Sequence, residues 1–165
     1  MHAVHHAATD FNVITALRHH PTEGVIAAVA LPLVPALLGF PIEAIAIVIL
    51  ATAAYTIYVH ADLPTSSFIE RWIAFGPNGH GIHHGTDAAC YNTNFGDLVI
   101  WDRLFGTYKV DVAEPRTYGC EDPVGLYQSG RPWRDMLLVQ AACCRNLWAI
   151  ARGALRPISP ASVRG

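Results

Sequence analysis

Between Gly24 and Val59 the chain carries a single charged residue, Glu43, and that gap constrains the fold more than any other feature. It holds two apolar runs, Gly24–Phe40 and Ile42–Val59. Crossing the hydrocarbon core of a bilayer takes about 20 residues, within a working range of about 17–25, so each run is just long enough. Gly39-Phe40-Pro41 separates them and reads as a tight turn. Pro32 and Pro35 kink the first run, which membrane helices tolerate. The pattern predicts a membrane hairpin over 24–59; the alternative is a helical hairpin buried in a soluble protein. Charged residues make up 15% of the whole chain, against roughly 25% in soluble domains, and the deficit is concentrated here. Two crossings return the chain to the side it left. Arg18 and Arg71 flank the hairpin while its turn has no Lys or Arg, which predicts that the flanking segments face the cytosol.

Histidines crowd those flanking segments. His2, His5 and His6 precede the hairpin, while His60 and then His80, His83 and His84 follow it. The first and last groups both read H-x-x-H-H. On a helix, positions i, i+3 and i+4 share a face, so each box is expected to aim three imidazoles at one point. An isolated histidine is usually just hydrogen-bonded, but three on one face crowd and desolvate one another with no structural return. Coordination supplies that return by replacing protons with a metal ion. Neutral imidazole binds Fe, Zn, Cu and Ni. A zinc site closes with four ligands, and a hydrolytic one uses three plus water. Seven histidines exceed one tetrahedral site, and an all-nitrogen shell is unlike calcium or magnesium sites. Two metal ions with open positions fit better, with iron the choice if dioxygen is the oxidant; spacing alone leaves the metal open, zinc included.

The remaining features set boundaries. At 165 residues the chain is of one-domain size, and its net charge of -2 argues against a nucleic-acid partner. Cys90, Cys120, Cys143 and Cys144 form no C-x-x-C pair, and a reducing, cytosol-facing setting is the simpler reading. No secretory signal is expected, because His2, His5 and His6 stand where a basic n-region would. Met1 to Leu17 is expected to be helical and to end at Arg18-His19-His20-Pro21. Phe75-Gly76-Pro77-Asn78-Gly79 should deliver His80 at a helix start. Thr86 to Asp111 reads as structured loop with a short helix, and Val112 to Pro132 as a Pro/Gly-punctuated connection. Trp133 to Arg156 predicts a final amphipathic helix decorated by Arg134, Arg145, Arg152 and Arg156. Such a helix suits either the membrane interface or packing on the protein. Pro157 to Gly165 is expected to fray. The fold class is therefore all-α: an integral membrane helical hairpin, histidine-box helices and a C-terminal amphipathic helix. The expected division is 1–111, a histidine-box region containing the hairpin, and 112–165.

At this point the motifs reach a family. H-A-V-H-H-A near R-H-H-P, then Y-V-H-A-D-L, then H-G-I-H-H-G-T-D followed by Y-N-T-N-F-G-D-L-V-I-W-D-R-L-F-G-T-Y, resemble the fatty acid hydroxylase/sterol desaturase superfamily over Met1 to Tyr108. The resemblance implies an integral membrane oxidoreductase with a histidine-bound di-iron centre on the cytosolic side. Such an enzyme uses O₂ and two electrons from an external donor, a cytochrome or ferredoxin system, to hydroxylate or desaturate a sterol, fatty acyl chain or similar lipid. It further implies His2, His5, His6, His60, His80, His83 and His84 as metal ligands, with no catalytic residue beyond them. His20, at the family's H-P position, is expected to support or pack; Asn94, Trp101, Asp102 and Arg103 are expected to support the last box.

Two departures accompany the likeness. The family carries a further histidine box roughly ten residues before H-A-V-H-H, which the sequence does not contain, and Asp62 stands where asparagine commonly follows the single histidine. An N-terminally truncated enzyme domain is the expectation, and a metal-binding membrane fragment without turnover is the alternative. A zinc hydrolase is the weaker third reading, since neither box contains the glutamate of H-E-x-x-H.

Overall fold

The computed structural model describes residues 2–61, 63–112, 117–120 and 131–153. Asp62, most of the expected connection and the tail from residue 154, with Arg156, lie outside them. Among the described residues seven α-helices follow one another, α1 (Ala3–His6), α2 (Pro21–Leu37), α3 (Ile42–Val59), α4 (Ser67–Trp72), α5 (Pro77–His83), α6 (Val99–Phe105) and α7 (Pro132–Ala151). Among the described residues, β-pairing is limited to isolated bridges, Ala74 with Leu98 and Gly85 with Tyr118. The chain divides into two compact units, His2–Glu121 and Asp122–Gly165.

In the first unit, α2 and α3 form the hairpin. His20 is the extended N-cap of α2; its Nδ1 accepts from the Thr22 amide at 3.3 Å, and Pro21 occupies the first helical position, where its missing N–H is no loss. Gly39 takes φ +85 in the turn, a conformation open to glycine, and Pro41 caps α3 in extended geometry. α3 is long and apolar enough to cross a membrane, and only 11% of it is buried. A core helix of a soluble protein would be wrapped instead, so the outward-facing Ile42, Ile47, Val48 and Leu50 fit a membrane helix. α2 is the shorter apolar partner, at 17 residues.

The segment before the hairpin is less helical than its sequence predicts. Helix is confined to Ala3–His6, with one 3₁₀ turn at Thr15–Leu17. The Asn12 side-chain oxygen accepts the Ile14 amide at 2.9 Å and Thr15 Oγ1 donates to the Asp10 carbonyl at 3.0 Å. These short polar side chains offer the backbone an alternative to the helical ladder, and here they win. Further along, α4 and α6 pair beside the hairpin through the Ala74–Leu98 bridge. The Tyr55 hydroxyl, on α3, is shared between the carbonyls of Phe75 and Asp97, so it pins both bridge segments to the membrane helix. Phe75, Ile82, Val99 and Cys90 form the small core beneath the histidines.

In the second unit, α7 presents Trp133, Leu137, Leu147 and Trp148 to the outside while Asp135 and Val139 are buried.

Because Tyr55 is one donor serving two carbonyls from separate segments, Tyr55→Phe should lower stability by about 1 kcal/mol. Thermal unfolding of the detergent-extracted protein measures this, and retained helical circular dichroism at low temperature would show that the fold itself persists.

Candidate metal centre

Three elements bring the histidines together. α1 carries His5 and His6, with His2 as its N-cap. His60 caps the C-terminus of α3. α5 carries His80 and His83, with His84 as its C-cap. All seven expected residues converge, but not box by box. His5, His60, His80 and His84 form one group and His2, His6 and His83 another, with the candidate donor atoms of each group within 4.8 Å of one another. Each H-x-x-H-H motif is thus divided between two groups, contrary to the expectation that each would aim at its own point. The reason is docking geometry: the His6 ring stacks on His84 at 4.2 Å and meets His83 at 4.6 Å, so the boxes interdigitate.

The nitrogen geometry suits a cation. His60 Nδ1 lies 2.7 Å from the Thr56 carbonyl, a contact only an N–H can make, so the lone pair of that ring is on Nε2. His83 Nδ1 donates likewise to the Thr93 carbonyl at 2.8 Å. His60 Nε2 then sits 3.1 Å from His5 Nε2 and 3.2 Å from His80 Nε2. Nitrogens bound about 2.0–2.1 Å from one ion, at right-angled to tetrahedral geometry, lie about 2.8–3.4 Å apart. Two further ring nitrogens, His5 Nδ1 and His84 Nε2, are buried without a hydrogen-bond partner. Leaving such an atom unpaired costs about 1–3 kcal/mol. The donor set and the orphaned nitrogens fit a bound metal, and the cluster can hold one.

Electrostatics keep the rings neutral and ready to ligate. Burial, followed by repulsion from His60, His2 and His19, lowers His5 to a pKa of about 4. Burial and then His83, His2, His5 and His60 lower His6 to about 3. His80 and His84 are pushed well down by burial and their imidazole neighbours, and burial is also the leading cause for His60 and His83.

Side chains outside the boxes hold them in place. The buried Glu70 accepts from the amides of Gly76 (3.0 Å) and Gly79 (3.1 Å) and from Asn78 Nδ2 (3.1 Å), which fixes the turn that launches α5. Asp102, also buried, takes the amides of Phe95 and Gly96 at 2.8 and 2.9 Å. Asn94, in left-handed geometry that asparagine tolerates, donates to the Gly79 carbonyl at 2.8 Å. Asn94 stands on the loop whose Thr93 carbonyl orients His83, and Asp102 holds that loop from α6. Arg103 donates to the Arg71 carbonyl at 2.7 Å and lies over the rings of Trp72 and Tyr108, away from the boxes. Trp101 is largely exposed. His20 serves as the cap of α2 and belongs to neither donor group.

Sequence reasoning missed four residues at this site. Phe11 packs against His60 and His84 at 5.3 and 5.1 Å and stacks on Tyr118 at 5.1 Å. His19 stacks parallel to His5 at 5.0 Å. Glu23 lies 2.9 Å from His2 Nδ1 and 3.9 Å from His19 Nδ1. Glu70 is the fourth. The His19–Glu23 spacing of four on a helix start was a readable signal; Glu70 and Phe11 carry none.

Fold and site together define an all-helical protein with an apolar hairpin that holds a polyhistidine cluster beside its ends. Its family follows from comparison: the fatty acid hydroxylase profile matches residues 1–107, and the chain belongs to that family. Alkylglycerol monooxygenase of Xenopus tropicalis is 30% identical over 89% of the chain and 31% of its own length. The Danio rerio alkylglycerol monooxygenase is 30% identical, covering 90% of the chain and 32% of its own length. Ornithine lipid hydroxylase OlsE of Rhizobium tropici is 33% identical over 65% of the chain and 33% of its own length. The chain therefore spans about a third of these curated relatives. No solved structure matches it.

Two outcomes follow from this packing. A Cβ at Gly79 would sit 2.4 Å from Phe75 Cδ1, so Gly79→Ala should destabilise by about 1–3 kcal/mol and loosen α5; thermal unfolding of the metal-free protein measures it. The second concerns pH. The unfolded chain takes up protons at these histidines below about pH 6.5, while the folded His5 and His6 resist until about 4 and 3. The stability of the metal-free protein should be full above pH 6.5 and fall steadily from pH 6.5 toward 4. Unfolding midpoints across that range test the sign, and a midpoint that rises on acidification would contradict it.

Proposed function

We propose that the chain carries the two-iron centre of an O₂-dependent lipid hydroxylase set in a membrane, with its histidines on the cytosolic side. The single observation behind this reading is the convergence of seven imidazoles into a group of four and a group of three. His5, His60, His80 and His84 would hold one ion and His2, His6 and His83 the other. When bound, iron in such a shell supplies dioxygen activation and attack on an unactivated C–H bond.

The chain's own residues do the rest. Thr56 and Thr93 carbonyls hold His60 and His83 with their Nε2 lone pairs free for a ligand. Phe11 and Tyr118 shield the His84 side from water, and the Gly85–Tyr118 bridge holds that cover in place. The three-histidine group is the more exposed, with His2 open to solvent, which leaves room there for substrate and oxidant. The membrane hairpin keeps the centre at the bilayer surface, within reach of a lipid chain.

Hydroxylation is favoured over desaturation because the similar proteins are named as a monooxygenase and a hydroxylase. Those names also favour a polar-headed lipid over a sterol as substrate. Reducing equivalents would come from an external donor of the cytochrome or ferredoxin kind. Arg18 and Arg71 at the hairpin ends support the cytosolic orientation.

The full chain, reconstituted in nanodiscs and loaded anaerobically with Fe(II), should bind two equivalents, and His84→Ala and His6→Ala should each remove about one. Equal iron in His84→Ala and parent would overturn the ligand assignment. With reductant and ¹⁸O₂, incorporation of one labelled oxygen into an alkylglycerol or ornithine lipid would identify the reaction.

A further inference from the structure

The helix beyond the family match, α7, has its apolar residues on the wrong side for a helix that only packs on protein. Trp133, Leu137, Cys144 and Trp148 fall within about 60° of one another around the axis. All four are exposed; Trp133 is 77% exposed and Leu137 73%. The buried residues, Asp135 and Val139, lie on the opposite face. Arg134, Arg145 and Arg152 are also exposed, and at spacings of eleven and seven residues they align within about 20° along one edge of the apolar stripe.

Charge singles out one occupant. Asp135 is the helix's one acidic residue; it is buried and lies 3.6 Å from Arg134. The Arg152 guanidinium lies over the Trp148 ring at 3.5 Å, so an arginine and an aromatic share the stripe's margin. Tryptophans in a row, edged by arginines whose stems can lie along apolar surface while their heads reach outward, match the boundary between acyl chains and phosphates. A second protein would meet the apolar stripe with apolar surface but would give no reason for three aligned cations. A net-anionic bilayer surface meets both.

We propose that α7 lies in the plane of the membrane interface, with the Trp133–Trp148 stripe in the outer acyl region and Arg134, Arg145 and Arg152 on the headgroups of anionic lipids. This reading is independent of the metal centre, because none of its residues belongs to either donor group.

Cys144, exposed in the middle of the stripe, reports on it directly. The native full chain is placed in nanodiscs of phosphatidylcholine alone or with phosphatidylserine and treated with a membrane-impermeant maleimide. Modification of each cysteine is then followed by peptide mass spectrometry. Phosphatidylserine should slow Cys144 modification by about tenfold or more. High salt, and the combined Arg134→Gln, Arg145→Gln, Arg152→Gln substitutions, should return it to the phosphatidylcholine rate. Equal rates in the two lipids would overturn the proposal. Protection in detergent that grows with protein concentration would overturn it too, by assigning the stripe to a second copy. Should the triple variant fold poorly, Leu137→Gln in the parent background, read the same way, must also lose the protection.

Discussion

Everything at the centre of this protein depends on packing seven imidazoles close together while the buried ones among them stay uncharged. Burial and mutual repulsion push the inner rings far below the usual histidine range, so at neutral pH the cluster is a set of lone pairs facing inward. Such an assembly is poorly stabilised by its own contacts. His5 Nδ1 and His84 Nε2 are left without partners, and neighbouring Nε2 atoms approach to 3.1–3.2 Å. A cation removes the conflict, because it converts competing lone pairs into ligands of one centre.

The surroundings are organised to withstand that strain. Glu70 fixes the entry to α5, Asp102 and Asn94 fix the loop behind it, and Tyr55 ties the same segments to α3. Two buried polar groups from separate stretches, Glu70 and Asn94, thus meet on one short helix of seven residues. A helix that short has little stability of its own in water. Its position is therefore imposed by side-chain anchors, which explains why the space beside Gly79 is too tight for a methyl group.

The hairpin was legible in the sequence because membrane helices are written in plain composition: an apolar run of sufficient length after a Gly-Phe-Pro turn gives α3 its bounds, whereas α2 starts and ends three residues before the run 24–40, because Pro21 opens it behind the His20 cap. The seven histidines were legible too, by their doubled spacing. Their grouping was not. Spacing along one helix reports which face a side chain takes, whereas sharing His83 with His2 and His6 is decided by how α1 and α5 dock. Glu70 was invisible for the same reason, since it acts on Gly76 and Gly79 across a turn that no periodicity describes. The helix expected through Leu17 failed at Asn12 and Thr15, where local side-chain hydrogen bonds outcompeted a weak apolar pattern.

Dividing each box between two groups has a structural consequence. Had each box closed on its own ion, α1 and α5 could separate without disturbing either site. With His5 placed among His60, His80 and His84, and His83 placed between His2 and His6, separating the helices would break both groups at once. His60 adds the membrane to this arrangement, because it is the cap of α3. Docking of the segment that precedes the hairpin and the position of α3 are therefore coupled through the histidine cluster, and a metal bound there would be coupled to both. The cluster is complete only when the hairpin is correctly formed, because His60 reaches the other histidines from the end of α3.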